Sequence, residues 1–350
     1  MRDMRSCLGV LLAVAAAGCV EHGPLTIEPG AAAGAVQAHA APVGFPAGVL
    51  VRFNGAASEL PEGITVDPQG NVYVGLRALG QIRKLGAGHP GEPITQSLFA
   101  TIDAGLLGLA ADRHGALYAA VPSFRPATHG VWMVTSDGAA TRLPGTERIF
   151  FPNGLTLDGP GNLYVTSSSG APLPGGGFAD GEIWRVPPGG SAELWLRDPL
   201  FTGTNALAPP FPIGVNGIDH RDGNLVVVNT ERGRVVRVPI GLDGSPGTPA
   251  VIREGLAFPD GVALDPRGDI HVLVTGTSKL VRVTGDGATA TDVAGPAEGV
   301  DFATSLAFGT RWGDQWSLYL ANSAAFPSPM PGRPGPSVLK VSVDPAVPSF

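Results

Sequence analysis

One phrase recurs along this chain and constrains its fold more than any other feature. Its fullest form is Phe258-Pro259-Asp260-Gly261-Val262-Ala263-Leu264-Asp265-Pro266-Arg267-Gly268-Asp269-Ile270-His271-Val272: a small turn, a short apolar strand, an Asp/Pro/Gly turn and a second strand. Residues 60–67 and 151–158 repeat it closely, and residues 106–109, 215–218 and 304–307 repeat it loosely. Most copies lie about 45 residues apart, the spacing of propeller blades. The longer interval between Asn153 and Asn216 holds two Gly/Pro-rich insertions, at 170–177 and 202–212. Each repeat offers four short strands with apolar alternation, as in 81–85. The sixth repeat runs out of chain before its fourth strand, and residues 48–53, ahead of the first repeat, supply the missing one. The expectation is an all-β, six-bladed β-propeller over 45–346, with an N-terminal strand closing the last blade so that no long edge stays open.

Composition agrees. A chain of 350 residues with 51 Gly and 34 Pro suits one large all-β domain. A formal net charge of -7 and no basic stripe exclude a nucleic-acid partner. Residues 1–19 read as a secretory signal: Arg2 and Arg5, an apolar run at 8–17, then Ala16-Ala17-Gly18-Cys19. A Cys directly after Ala-Gly resembles the bacterial lipobox, so Cys19 is the expected lipidation site. Export follows, either lipid-anchored at the periplasmic or outer face of a bacterial membrane or secreted. The membrane is expected to matter only through that anchor. Residues 20–44, rich in Ala, Gly and Pro, form a flexible linker. The only cysteines, Cys7 and Cys19, belong to the signal, so sheet packing must stabilise the domain without a disulfide.

The Asp residues of the Asp/Pro/Gly turns, such as Asp67, Asp158 and Asp265, read as turn formers. The residue before the phrase's Gly carries more chemistry. In order it is Glu62, Leu107, Asn153, Asn216 and Asp260, with Ser305 in the sixth slot, where Leu306 stands for the Gly. These slots open the strand nearest the propeller axis, so their side chains are expected to converge. Glu62, Asn153, Asn216 and Asp260 offer only oxygen donors, which suit Ca²⁺ ahead of Mg²⁺ or Mn²⁺, and not zinc or copper. The alternative is that Glu-Gly, Asn-Gly and Asp-Gly merely shape tight turns, a task for which Glu is a poor choice.

At these residues the sequence resembles the six-bladed propeller family of gluconolactonase, senescence marker protein and luciferin-regenerating enzyme. It is similar more distantly to diisopropylfluorophosphatase, the paraoxonases and NHL-type propellers. Pro61-Glu62-Gly63, Pro152-Asn153-Gly154, Val215-Asn216-Gly217-Ile218 and Pro259-Asp260-Gly261 carry the resemblance, which covers about 45–344. It implies that Glu62, Asn216 and Asp260 hold a divalent cation. Asn153 would bind the ion, or the substrate through a water. The implied reaction is hydrolysis of a lactone or related ester, with Asp260 as the catalytic base or nucleophile. Sugar-lactone members carry an Arg two residues before the third-blade Asn; Phe151 stands there here. With Leu107 and Ser305, Phe151 is expected to form a more hydrophobic substrate-binding mouth, suited as well to an acyl, aromatic or xenobiotic ester.

Other readings fare worse. Gly86-Ala87-Gly88-His89-Pro90-Gly91 spells a dinucleotide-binding pattern, but Pro90 interrupts it and no helix follows. No G-x-S-x-G elbow is present. His129, His220 and His271 lack partner motifs. Two alternatives stay open: a non-catalytic, surface-anchored binding propeller, and a propeller enzyme of another kind, such as a quinone-dependent dehydrogenase or a lyase. The expected partner is a small-molecule substrate, and the expected state a monomer.

Overall fold

Runs of Val, Ile and Leu broken by Asp/Gly turns leave a chain little but short strands to form. The computed structural model describes residues 47–86, 94–324 and 333–343; the signal with Cys19, the 20–44 linker and most of the 86–91 stretch lie outside them. The described residues form six four-stranded sheets, five of them from strands consecutive in sequence. In the sixth, Ala303–Phe308, Ser317–Asn322 and Ser337–Ser342 are joined by Ala47–Arg52, which pairs antiparallel with Ser337–Ser342. The fold is the expected six-bladed propeller, closed by its N-terminal strand.

The innermost strands are Pro61–Val66, Leu109–Ala111, Pro152–Leu157, Val215–Arg221, Pro259–Leu264 and Ala303–Phe308. The second strands are covered on both faces: every residue of Val72–Leu76 and of Ile270–Val274 is buried. Among the described residues an apolar core fills each gap between neighbouring blades. Where the ring closes, Tyr319, Ala321 and Val338 of the last blade pack with Ile64, Val66 and Val74 of the first. These cores stabilise a domain whose described residues contain no cysteine.

The Asp turns behave as turn chemistry requires. Asp67 accepts from the Asn71 backbone at 2.8 Å, the Asn71 amide at 2.7 Å and the Tyr73 hydroxyl at 3.1 Å. The carboxylate–tyrosine pair recurs as Asp112 with Tyr118, Asp158 with Tyr164 and Asp314 with Tyr319. In the fifth blade His271 takes the aromatic place, 3.3 Å from Asp265.

The glycine after each slot is not a turn residue. Gly63, Gly108, Gly154, Gly217 and Gly261 all avoid positive φ. They are needed because the blades crowd at the axis: a Cβ on Gly63 would lie 2.2 Å from the Leu107 carbonyl oxygen, and one on Gly154 2.5 Å from that of Asn216. Each glycine thus lets one blade's inner strand rest on the slot carbonyl of the next.

Candidate active site

A β-bulge falls at the slot in blades one, three, four and five, between Pro61 and Ile64, Pro152 and Leu155, Val215 and Ile218, and Pro259 and Val262. The bulge turns the slot side chain out of the strand's alternation. As a result Glu62, Asn153, Asn216 and Asp260 all line one cavity of about 410 Å³. Leu107 and Phe151 line it too.

The sixth slot needs a correction. Ala303 faces Asn322 as Pro61 faces Leu76, so Thr304, not Ser305, occupies the slot, and Ser305 stands for the glycine. Thr304 lines the cavity. Ser305 instead borders a smaller space of about 60 Å³ among the phrase glycines. There its hydroxyl accepts from the Ile64 amide at 3.4 Å, while Thr304 Oγ1 donates to the Glu62 carbonyl at 3.0 Å. Two side-chain hydrogen bonds thereby join the last blade to the first.

The electrostatics are those of two acids forced together. Burial pushes the Asp260 carboxyl well above the usual carboxylate range; the charge of Glu62 pushes the same way, while Arg77 and a hydrogen bond from Asn216 oppose it. Burial also raises Glu62, and Arg77 partly offsets that. Among the described residues Glu62 Oε2 is buried with no hydrogen-bond partner.

The amides are oriented by their neighbours. Thr230 spends its hydroxyl proton on the Pro259 carbonyl at 2.8 Å, so it must accept from the Asn216 Nδ2 at 3.1 Å. Asn153 Nδ2 likewise donates to Ser168 at 3.0 Å. Both amides keep their carbonyl oxygen for the cavity. An orphaned buried carboxylate oxygen, a second carboxylate destabilised by burial, and two free amide oxygens fit a hard divalent cation. Histidine and cysteine are absent from the cavity lining, and among the described residues no three His, Cys, Asp or Glu side chains gather at one point. The donor set is therefore carboxylate and amide, not a zinc-type cluster.

Among the lining residues that the sequence reading did not single out, three groups bear on the chemistry. Arg77, on a short 3-10 turn after the second strand of blade one, stands 3.7 Å from Glu62. Phe258 and Phe302 occupy the same repeat position as Phe151, immediately before the first residue of the inner strand, and all three line the cavity. The third group comes from the second insertion, which brings Leu207 and Ala208 to the wall. Glu231 holds that loop by accepting from the amides of Asn205 and Leu207, each at 2.8 Å. The phenylalanines had a signal in the sequence, since reading one column of the repeat gives Leu60, Gly105, Phe151, Gly214, Phe258 and Phe302.

The histidines stay structural. His129 accepts from the Ser123 amide at 3.0 Å on one ring nitrogen and meets the Ile149 carbonyl at 2.7 Å with the other. None of His129, His220 and His271 lines the cavity.

The molecule is thus a six-bladed propeller with an oxygen-donor pocket on its axis. No family model matches the chain, and no curated protein matches it in sequence. Solved structures do share its architecture. Regucalcin from Agrobacterium tumefaciens, a calcium-binding protein, superposes with a TM-score of 0.64 at 18% identity, over 85% of this chain and 94% of that one. A luciferin-regenerating enzyme gives 0.61 at 15% identity, over 88% and 98% of the two chains. A gluconolactonase from Xanthomonas campestris gives 0.60 at 15% identity, over 88% and 99%. At these identities the likeness concerns the fold.

Proposed function

We propose that this chain is a divalent-cation-dependent hydrolase of lactones or related esters, working at the axial pocket. One observation carries the reading: two half-buried carboxylates and two oriented amides line one cavity beside an apolar wall. Glu62, Asn216 and Asp260 would hold the cation, Ca²⁺ ahead of Mg²⁺ or Mn²⁺, and Asn153 would hold the ion or the substrate through a water. When bound, such an ion polarises an ester carbonyl and lowers the pKa of water. Asp260 is assigned as the base or nucleophile, as a carboxylate beside the ion. Leu107 and Phe151 would pack on the substrate's apolar part and keep bulk water out. Thr304 takes the place first expected for Ser305. The structural likeness to a gluconolactonase and to a calcium-binding regucalcin supports the reading without naming a substrate.

Metal analysis of purified protein, followed by an ester and lactone panel with and without a chelator, tests the proposal. The expected result is hydrolysis that is lost on chelation and regained with Ca²⁺. A protein that binds no ion and turns over no ester is a binding module instead. We further propose export as a monomer, anchored through a lipid on Cys19. Labelled palmitate should enter the wild type and not Cys19→Ser, and a wild type that stays unlabelled would leave a secreted protein.

A further inference from the structure

The hydrolase reading, on which this inference rests, gives Arg77 no task beyond a partial offset of the two acids. Among the described residues it is the one cationic side chain in the cavity lining. Its guanidinium stands 3.7 Å from Glu62 Oε2, beyond hydrogen-bond length, and that oxygen stays unpartnered. A guanidinium placed only to neutralise Glu62 would close to about 2.8 Å, the length of a charge-assisted pair. Arg77 instead keeps 20% of its side-chain surface open, at the cavity. Its planar fork of donors matches a carboxylate in two-point contact. Much of the remaining wall has the opposite character, with Phe151, Phe258, Phe302, Leu207 and Ala208 beside the hydroxyls of Thr230, Thr275, Thr304 and Ser323.

From this pairing of one guanidinium with an aromatic wall, we infer that the pocket takes an amphipathic carboxylate. The substrate would be an ester or lactone whose apolar body lies on the phenylalanines. A carboxylate set apart from its scissile carbonyl is held by Arg77. The charges agree. With Glu62 and Asp260 committed to a divalent ion, the positive charge of Arg77 has no counter-charge in the cavity until an anionic substrate brings one. An arginine acting on the scissile carbonyl would favour all esters alike, so a matched pair of substrates separates the two roles.

The test compares meta-carboxyphenyl butyrate with meta-tolyl butyrate, using the calcium-loaded full chain and its Arg77→Gln variant. The ratio of kcat/KM, acid over neutral, is expected to fall about 10- to 100-fold in the variant, the worth of one charge-assisted pair, and to fall through KM. Arg77→Lys should recover part of the ratio. An unchanged ratio overturns the assignment. Calorimetry on the wild type and Arg77→Gln gives a second readout that needs no turnover. Wild-type protein, and not the variant, should bind meta-hydroxybenzoate more tightly than meta-cresol, and equal binding by the wild type also overturns the proposal. If neither ester is hydrolysed while the acid still binds through Arg77, the hydrolase reading falls and the carboxylate site stands.

Discussion

Asp260 is held where its charged form is least welcome. Burial and the neighbouring Glu62 both favour its protonated form, so its folded-state pKa lies above the unfolded value. A carboxyl shifted that way weakens the fold as pH rises and it ionises. Asp260→Asn should therefore match or exceed the wild type in melting temperature in ion-free buffer at neutral pH. The same change should cut ester turnover by at least about 100-fold, as loss of a general base does, and remove any Ca²⁺-induced rise in melting temperature. Differential scanning fluorimetry with and without Ca²⁺ checks both halves, and an unchanged Ca²⁺ response would take Asp260 out of the ion site. His271 has the converse sign. It is fully buried, and burial lowers its pKa while Asp265 pulls the other way. The folded state resists its protonation, so its contribution is whole above the unfolded value of about 6.5 and is lost as pH falls below it. Asp265 is itself lowered, so its own loss begins only further down, near its unfolded value of 3.8. His271→Tyr restores the pair used in four other blades. Its urea midpoint should fall less than the wild type's between neutral pH and mildly acid pH. Parallel profiles would mean that His271 does not titrate in that window.

At the scale of elements, the inner strand decides how much of the site can be read from sequence. The strand is short, carries a bulge and ends on an Asp turn, and its phrase is legible wherever the Gly survives. That is why Glu62, Asn153, Asn216 and Asp260 were legible as a set. Blade six has lost its Gly, so the eye slides one residue, and only the pairing of Ala303 with Asn322 restores Thr304 to the slot. Arg77 was illegible for a different reason: just after the second strand, blades three to six carry Ser168, Thr230, Thr275 and Ser323, so nothing in that column announces an arginine. Leu207 and Ala208 arrive on an insertion, whose path no periodicity dictates. The phrase glycine makes a sharp claim. Gly63→Ala would press a methyl against the Leu107 carbonyl, backbone on backbone, with no rotamer to relieve it. The expected loss is about 1–3 kcal/mol in denaturant unfolding, as for an overpacked core. Ser305→Gly, at the one position built to carry a side chain, should cost less and act through its hydrogen bond to Ile64. Equal effects would show that the axis is looser than the contacts imply. The insertion offers a parallel test. Glu231→Ala removes the acceptor that ties the 204–207 loop, so ester KM should rise by about 10-fold, as a misplaced wall allows. The melting temperature should hardly change, because the bonds Glu231 accepts tie an exposed loop and not a blade strand.

For the whole molecule, the site exists only if the ring is closed. Glu62 belongs to the first blade and Asp260 to the fifth, and the sixth lies between them. Thr304 joins the Glu62 carbonyl to that sixth blade, and the Tyr319–Val338 core braces it against Ile64 and Val74. The sixth blade in turn depends on Ala47–Arg52, the strand contributed from the other end of the chain. Removing that strand strips Ser337–Ser342 of its outer partner and leaves a free edge of backbone donors and acceptors. A chain starting at Phe53 should therefore lose activity out of proportion to its distance from the pocket. It should also associate through the bared edge, giving dimers or larger species on size-exclusion chromatography, and its melting temperature should drop. Adding the missing strand back as a separate peptide should restore both the monomer and part of the turnover, since the edge selects it by register and burial. If the shortened chain stays monomeric with an unchanged melting temperature and full activity, closure by the first strand is ornamental. Blades one and six would then be held together by their side chains alone.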